Sequence, residues 1–164
     1  MKPENLLLDV TGKVLKITDF GVSEVFRTPF ASLSQKCHGC AGSGPYIAPE
    51  EYTEESYDSE KVDVWSCGII YFVMFFSTIP WKCAQLSNQQ FKYYIDHHKN
   101  FRQFDKLEPL FRVIMYDILD MNPEARISVK NLISSEWFEN IKTCLDKQCS
   151  EVACDTHTHK KVAK

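Results

Sequence analysis

The longest uninterrupted hydrophobic pattern in the chain runs from Ser59 to Phe76. Its front carries charge, with Asp58 or Ser59 placed to cap it, and from Cys67 onward it is apolar on every side. A helix without a polar face belongs in a core. The β-branched and aromatic residues of 69–73 would also suit a strand. Buried strands, however, usually stop at about 4–8 residues, and a membrane span needs about 20 apolar ones. The pattern predicts the buried central helix of an α-rich domain, ended by Pro80 with Trp81 packing back on it.

On either side the periods are shorter. Leu6–Leu8 and 14–17 are two apolar runs around the turn Asp9-Val10-Thr11-Gly12-Lys13, so residues 6–17 read as a β-hairpin. At its exit, Thr18-Asp19-Phe20-Gly21 sets an acidic group beside a glycine free to take positive φ. Residues 22–43 show no period and form a long loop of the kind usually retained for function. A short helix begins within Tyr46 to Glu51, and 53–58 is a polar connection. Residues 88–98 form a helix with Phe91, Tyr94 and Ile95 on one face, and 107–119 a stronger one. Asn122-Pro123 breaks that pattern before two further short helices at 129–133 and 135–141. From 144 to 164 the chain is polar and aperiodic, the composition of a disordered tail. No internal repeat occurs.

Composition narrows the function classes. With 164 residues the chain is one domain or a piece of one. A formal net charge of −3 provides no field for nucleic acid or an anionic membrane. Met1 leads into Lys-Pro-Glu-Asn without a signal-peptide pattern. Seven cysteines, an odd number, then point to reduced thiols in the cytoplasm rather than a disulfide framework.

Three pieces stand in a fixed order: Lys2-Pro3-Glu4-Asn5, Asp19-Phe20-Gly21 and Ala48-Pro49-Glu50. Asp63-Val64-Trp65-Ser66-Cys67-Gly68 opens the core helix, and Arg126 follows late in the chain. Each piece is weak evidence alone, and the ordered set is specific. Over residues 1–143 the chain resembles the C-terminal lobe of a eukaryotic serine/threonine protein kinase. The resemblance implies a mostly α (α+β) fold with one short β-hairpin and no N-terminal lobe. The stretches 79–84 and 46–52 look like the fungal kinases that regulate nutrient transporters and ion homeostasis.

The resemblance also assigns roles. Asp19 would hold Mg²⁺ bridging the terminal phosphates of ATP and Asn5 a second Mg²⁺, both as hard oxygen donors. Lys2 would place a positive charge near the transferring phosphoryl group, Leu7 would floor the adenine site, and Ser43 would align a protein substrate's hydroxyl. Asp63 matches an aspartate that accepts hydrogen bonds from the catalytic-loop backbone, and Glu50 and Arg126 match a structural ion pair. Thr28, Ser32 and Ser34 lie where many kinases are phosphorylated, and read equally as polar loop residues. Glu4 matches a residue that reads substrate arginine in basophilic relatives. Val73 stands where some of those have a second acid, so basic specificity does not follow.

In the family the general-base aspartate lies two residues before the lysine, a position that would precede Met1. The glycine-rich loop, the strand lysine and its helix glutamate have no counterpart either. The 164 residues alone are therefore expected to bind Mg-ATP weakly or not at all and to transfer no phosphate. Leu6–Leu8 and Phe20 would be left as an apolar patch prone to association, with the missing N-terminal lobe as a natural partner. The other reading is a non-catalytic docking module, engaging partners through 88–98. Cys37-x-x-Cys40, with Cys144, Cys149, Cys154, His157 and His159, has elements of a zinc site. One Cys-x-x-Cys lacks its matching pair, and free thiols are the better reading.

Overall fold

A computed structural model describes residues 1–26 and 35–139. The chain opens with the predicted hairpin. Strand β1 (Leu6–Leu8) runs antiparallel to β2 (Leu15–Ile17), with Leu7 opposite Lys16. The Asp9 carboxylate holds the turn, accepting from the Thr11 hydroxyl at 2.7 Å and from the Lys13 and Val14 amides at 3.0 and 3.1 Å. Gly12, at φ +69°, completes it without a Cβ clash. Both strands lie on the surface, and Leu8 and Leu15 are exposed.

A second two-stranded ladder, absent from the sequence expectation, joins the long loop to the connection before the core helix. Strand β3 (Cys37–His38) pairs antiparallel with β4 (Ser56–Tyr57), Cys37 facing Tyr57. Between them lies the short helix α1 (Pro49–Thr53).

Helix α2 spans Ser59–Phe76, the predicted bounds. Asp58 caps it, its carboxylate accepting from the Glu60 amide at 2.8 Å. It ends before Pro80 is reached. Ser77 turns left-handed at φ 55° and returns its N–H to the Val73 carbonyl, so the stop is a C-cap rather than the proline. Nor is the helix buried all round. Val64, Trp65, Ile69 and Phe72 are buried, whereas Cys67, Met74 and Phe75 face outward, Met74 at 70% exposure. The apolar run carries a second face that the rest of the described chain leaves open.

The core forms where α2 meets α3 (Gln89–Asp96) and α4 (Pro109–Ile118). Trp81 does pack back: its ring lies 5.8 Å from Trp65, 5.0 Å from Phe91 and 5.1 Å from Tyr94. The Tyr94 hydroxyl is satisfied by the Leu119 carbonyl at 2.8 Å. Asn88 and Glu108 cap α3 and α4. At Gly68 the end of α4 packs tightly on α2, since a Cβ there would stand 2.4 Å from Ile118 Cγ2. Two short helices, α5 (Val129–Ile133) and α6 (Glu136–Glu139), close the described part. The tail expected at 144–164 lies outside it. No helix among the described residues is long and apolar enough to cross a membrane.

Candidate active site

The hairpin exists, in functional terms, to bring its two ends together. Pro3–Asn5 makes a 3₁₀ turn that ends where β1 begins, and Asp19 stands two residues past the end of β2. The Thr18 amide donates to the Asn5 carbonyl at 2.9 Å, extending the ladder by one bond. The side chains then meet: Asn5 Nδ2 lies 3.5 Å from Asp19 Oδ2. The positive φ expected near Gly21 falls instead on Asp19 itself, at 61°. Aspartate tolerates this region because its short side chain can bond locally. Here Oδ1 takes the Gly21 amide at 3.4 Å. Gly21 matters for close approach, since a Cβ on it would sit 3.3 Å from that oxygen.

Asn5 and Asp19 open onto a cavity of about 340 Å³ that is also lined by Phe20, Glu24, Ser43, Glu51 and Asp63. Ser43 precedes the 3₁₀ turn Gly44–Tyr46, which fixes its place on the wall. Lys2 and Leu7 do not line this cavity: Lys2 is half-buried beside it, and Leu7 is 52% exposed on the hairpin. Thr28, Ser32 and Ser34 lie outside the described residues.

The wall is acidic. Desolvation pushes the Asp63 carboxyl above its usual range. The same effect raises Glu51, partly opposed by the Ala48 N–H that its carboxylate accepts at 2.9 Å. Glu24 and Glu51 were missed by the sequence reading. Glu51 sits at the third position of α1, where a glutamate reaches back to its own N-cap. That spacing was legible, though not its place on the cavity. Among the described residues no group of three or more His, Cys, Asp or Glu stands together to hold a metal ion. Cys37 and Cys40 are free thiols, and the tail cysteines and histidines proposed as their partners lie outside the described residues.

Behind the site, Glu50 and Arg126 form a two-pronged ion pair, Nη1 to Oε1 at 2.5 Å and Nη2 to Oε2 at 2.9 Å. Both are buried, at 3% and 1% exposure. The guanidinium gives two further donors to the Lys61 and Asp120 carbonyls at 2.9 and 3.1 Å and lies 4.9 Å above the Trp65 ring. The Lys61 ammonium donates to the Arg126 carbonyl in return. This knot joins the start of α1, the first turn of α2 and the segment before α5.

Comparison with known proteins gives the same direction. The model of the protein kinase domain matches residues 1–138. The chain is 42% identical over 149 residues to serine/threonine-protein kinase hal4 of Schizosaccharomyces pombe, covering 88% of this chain and 23% of that protein. Against serine/threonine-protein kinase HAL4/SAT4 of Saccharomyces cerevisiae the identity is 40% over 148 residues, 88% and 24% of the two chains. A probable serine/threonine-protein kinase HAL5-like of Kluyveromyces lactis is 39% identical over 157 residues, 88% of this chain and 20% of its own length. The chain thus spans about a fifth to a quarter of the length of these three fungal relatives.

Proposed function

Since this chain belongs to the protein kinase domain family, we propose that it carries the magnesium-binding and substrate-aligning half of a serine/threonine kinase site. The complete protein would transfer a phosphoryl group from ATP to a protein hydroxyl. The observation that carries this reading is the meeting of Asn5 and Asp19 across the hairpin ends, on a cavity shared with Ser43.

The donor set suits a hard, strongly hydrated cation, which prefers carboxylate and amide oxygens to nitrogen or sulfur. When bound with ATP, Mg²⁺ neutralises the charge that spreads over the transferring phosphoryl oxygens. Asp19 would supply the charged ligand and Asn5 a neutral one. The left-handed backbone of Asp19, held by the Gly21 amide, fixes the direction of its carboxylate. Ser43 would hold the acceptor hydroxyl in line, a positioning role that converts an encounter into an oriented one. Lys2, three residues before Asn5 in the chain, would add positive charge from outside the cavity wall.

No residue of this sequence fills the place of the family's general base, and the 164 residues by themselves would transfer no phosphate. Nucleotide binding tests the reading separately from turnover. Titrating the chain with a fluorescent ATP analogue should give weak, magnesium-dependent binding that Asp19→Ala abolishes and Ser43→Ala leaves unchanged. Binding that ignores both magnesium and Asp19→Ala would overturn the assignment. Magnesium-dependent kinase activity of the salt-washed chain, lost in Asp19→Ala, would overturn the inactivity.

A further inference from the structure

The segment Cys37-His38-Gly39-Cys40 has no part in the reading above, yet it leads straight to Ser43. We propose that Cys37 and Cys40 form a reversible disulfide that fixes the loop presenting Ser43.

Reach comes first. Cys37 is anchored in β3 opposite Tyr57, and His38 continues that strand. Gly39 then turns the chain at φ +76°. An extended residue followed by one near φ +80° is the dihedral order of a type II turn, which brings its first and fourth Cα atoms within about 7 Å. Disulfides bridge Cα atoms about 4.4–6.8 Å apart. The turn is held from the neighbouring strand, because the Tyr57 hydroxyl donates to the Gly39 carbonyl at 2.6 Å.

The two sulfurs differ in access. Cys37 is buried near Glu24, whereas Cys40 is exposed. The oxidant we assign is a hydroperoxide, with hydrogen peroxide as the simplest member. The Cys40 thiolate attacks one peroxide oxygen, the O–O bond breaks, and the departing hydroxide takes a proton to become water. Cys37 then attacks the resulting sulfenic sulfur. Its own proton leaves with the expelled hydroxide as a second water, and the S–S bond forms. Two thiols and one peroxide give one disulfide and two waters, the sulfurs losing the two electrons that the peroxide gains.

Bond formation changes the cavity wall, which Cys37 and Glu24 both line. It also ties down the chain at Cys40, three residues before Ser43. This consequence at Ser43 rests on the phosphoryl-transfer reading, while the disulfide itself does not. Desolvation raises both thiols, aided at Cys37 by Glu24 and Asp63 and at Cys40 by Glu51. The pair therefore stays reduced at neutral pH under mild oxidant and reacts faster as pH rises, because the thiolate is the nucleophile.

The sequence offers a clean readout. Trypsin cutting after Lys36 and Lys61 releases residues 37–61, which hold Cys37 and Cys40 and no third cysteine. After hydrogen peroxide treatment of the full chain and blocking of free thiols, this peptide should appear lighter by two hydrogens and unblocked. Dithiothreitol should restore the dithiol, Cys40→Ser should lose the oxidised form, and Cys83→Ser should keep it. Recovery of 37–61 as the doubly blocked dithiol, or joined through sulfur to another cysteine peptide, would overturn the proposal. Because the measurement is a mass, it is independent of nucleotide binding or activity.

Discussion

Replacing Arg126 by methionine strands the Glu50 carboxylate in a site where both partners are buried. An uncompensated buried charge costs about 3–5 kcal/mol, and the loss should appear as a fall in the urea midpoint. Arg126→Lys is expected to recover only part, because an ammonium cannot make the two-pronged bond or lie flat over Trp65. If both variants match the parent midpoint, the knot contributes nothing to stability. The cavity carboxyls make the opposite kind of prediction. Asp63 and Glu51 hold their protons more tightly in the folded chain than at their ordinary values of 3.8 and 4.5. Between the ordinary and the raised value the folded state therefore binds more protons than the unfolded one, and stability falls as pH rises through that window. The contribution is fully present below the ordinary value and absent above the raised one. Asp63→Asn should flatten this part of the stability–pH curve, measured as urea midpoints at stepped pH; an unchanged slope would show that Asp63 titrates alike in both states.

Helix α2 depends on one missing side chain. Gly68 lies where α4 crosses it, and Gly68→Ala would drive a methyl into Ile118 Cγ2 at 2.4 Å and Leu119 Cδ2 at 3.0 Å. Overpacking of this kind costs about 1–3 kcal/mol. It outweighs the ~1 kcal/mol that alanine gains over glycine in a helix. A lower melting temperature is expected, and a higher one would mean that the side chains across the contact yield freely. The bounds of α2 were legible because their determinants are local: a capping aspartate, then an apolar run too long for a strand. The hairpin was legible for the same reason, with Asp9 and Gly12 marking its turn. The β3–β4 ladder was not, since each strand is two residues long and is defined only by its distant partner. Asp19, Asn5 and Ser43 were found through the order of motifs. Glu24 and Glu51 belong to no motif, and only folding brings them to the cavity. The outward face of α2 was misread because an all-apolar run says how much surface seeks cover, without saying what covers it.

That open face sets the behaviour of the whole molecule. Met74 and Phe75 on α2, Leu7, Leu8 and Leu15 on the hairpin, and Phe20 beside the cavity are all exposed large apolar residues. Exposed apolar surface gathered in patches marks a contact site or an association liability. Described residues leave these positions uncovered, while the matched relatives are several times longer than this chain. The chain by itself should therefore melt broadly at low temperature and self-associate as concentration rises. Sedimentation velocity would show a weight-average mass climbing above 19.0 kDa with concentration. Charging α2 alone, with Met74→Glu and Phe75→Lys, should lower that mass while the far-ultraviolet circular dichroism stays unchanged, since both side chains point away from the core. If the double variant associates as strongly as the parent, the contact lies elsewhere, and the hairpin pair Leu7 and Leu8 becomes the surface to charge next. A chain that stays at 19.0 kDa throughout would mean that the apolar face is tolerated in water without a partner.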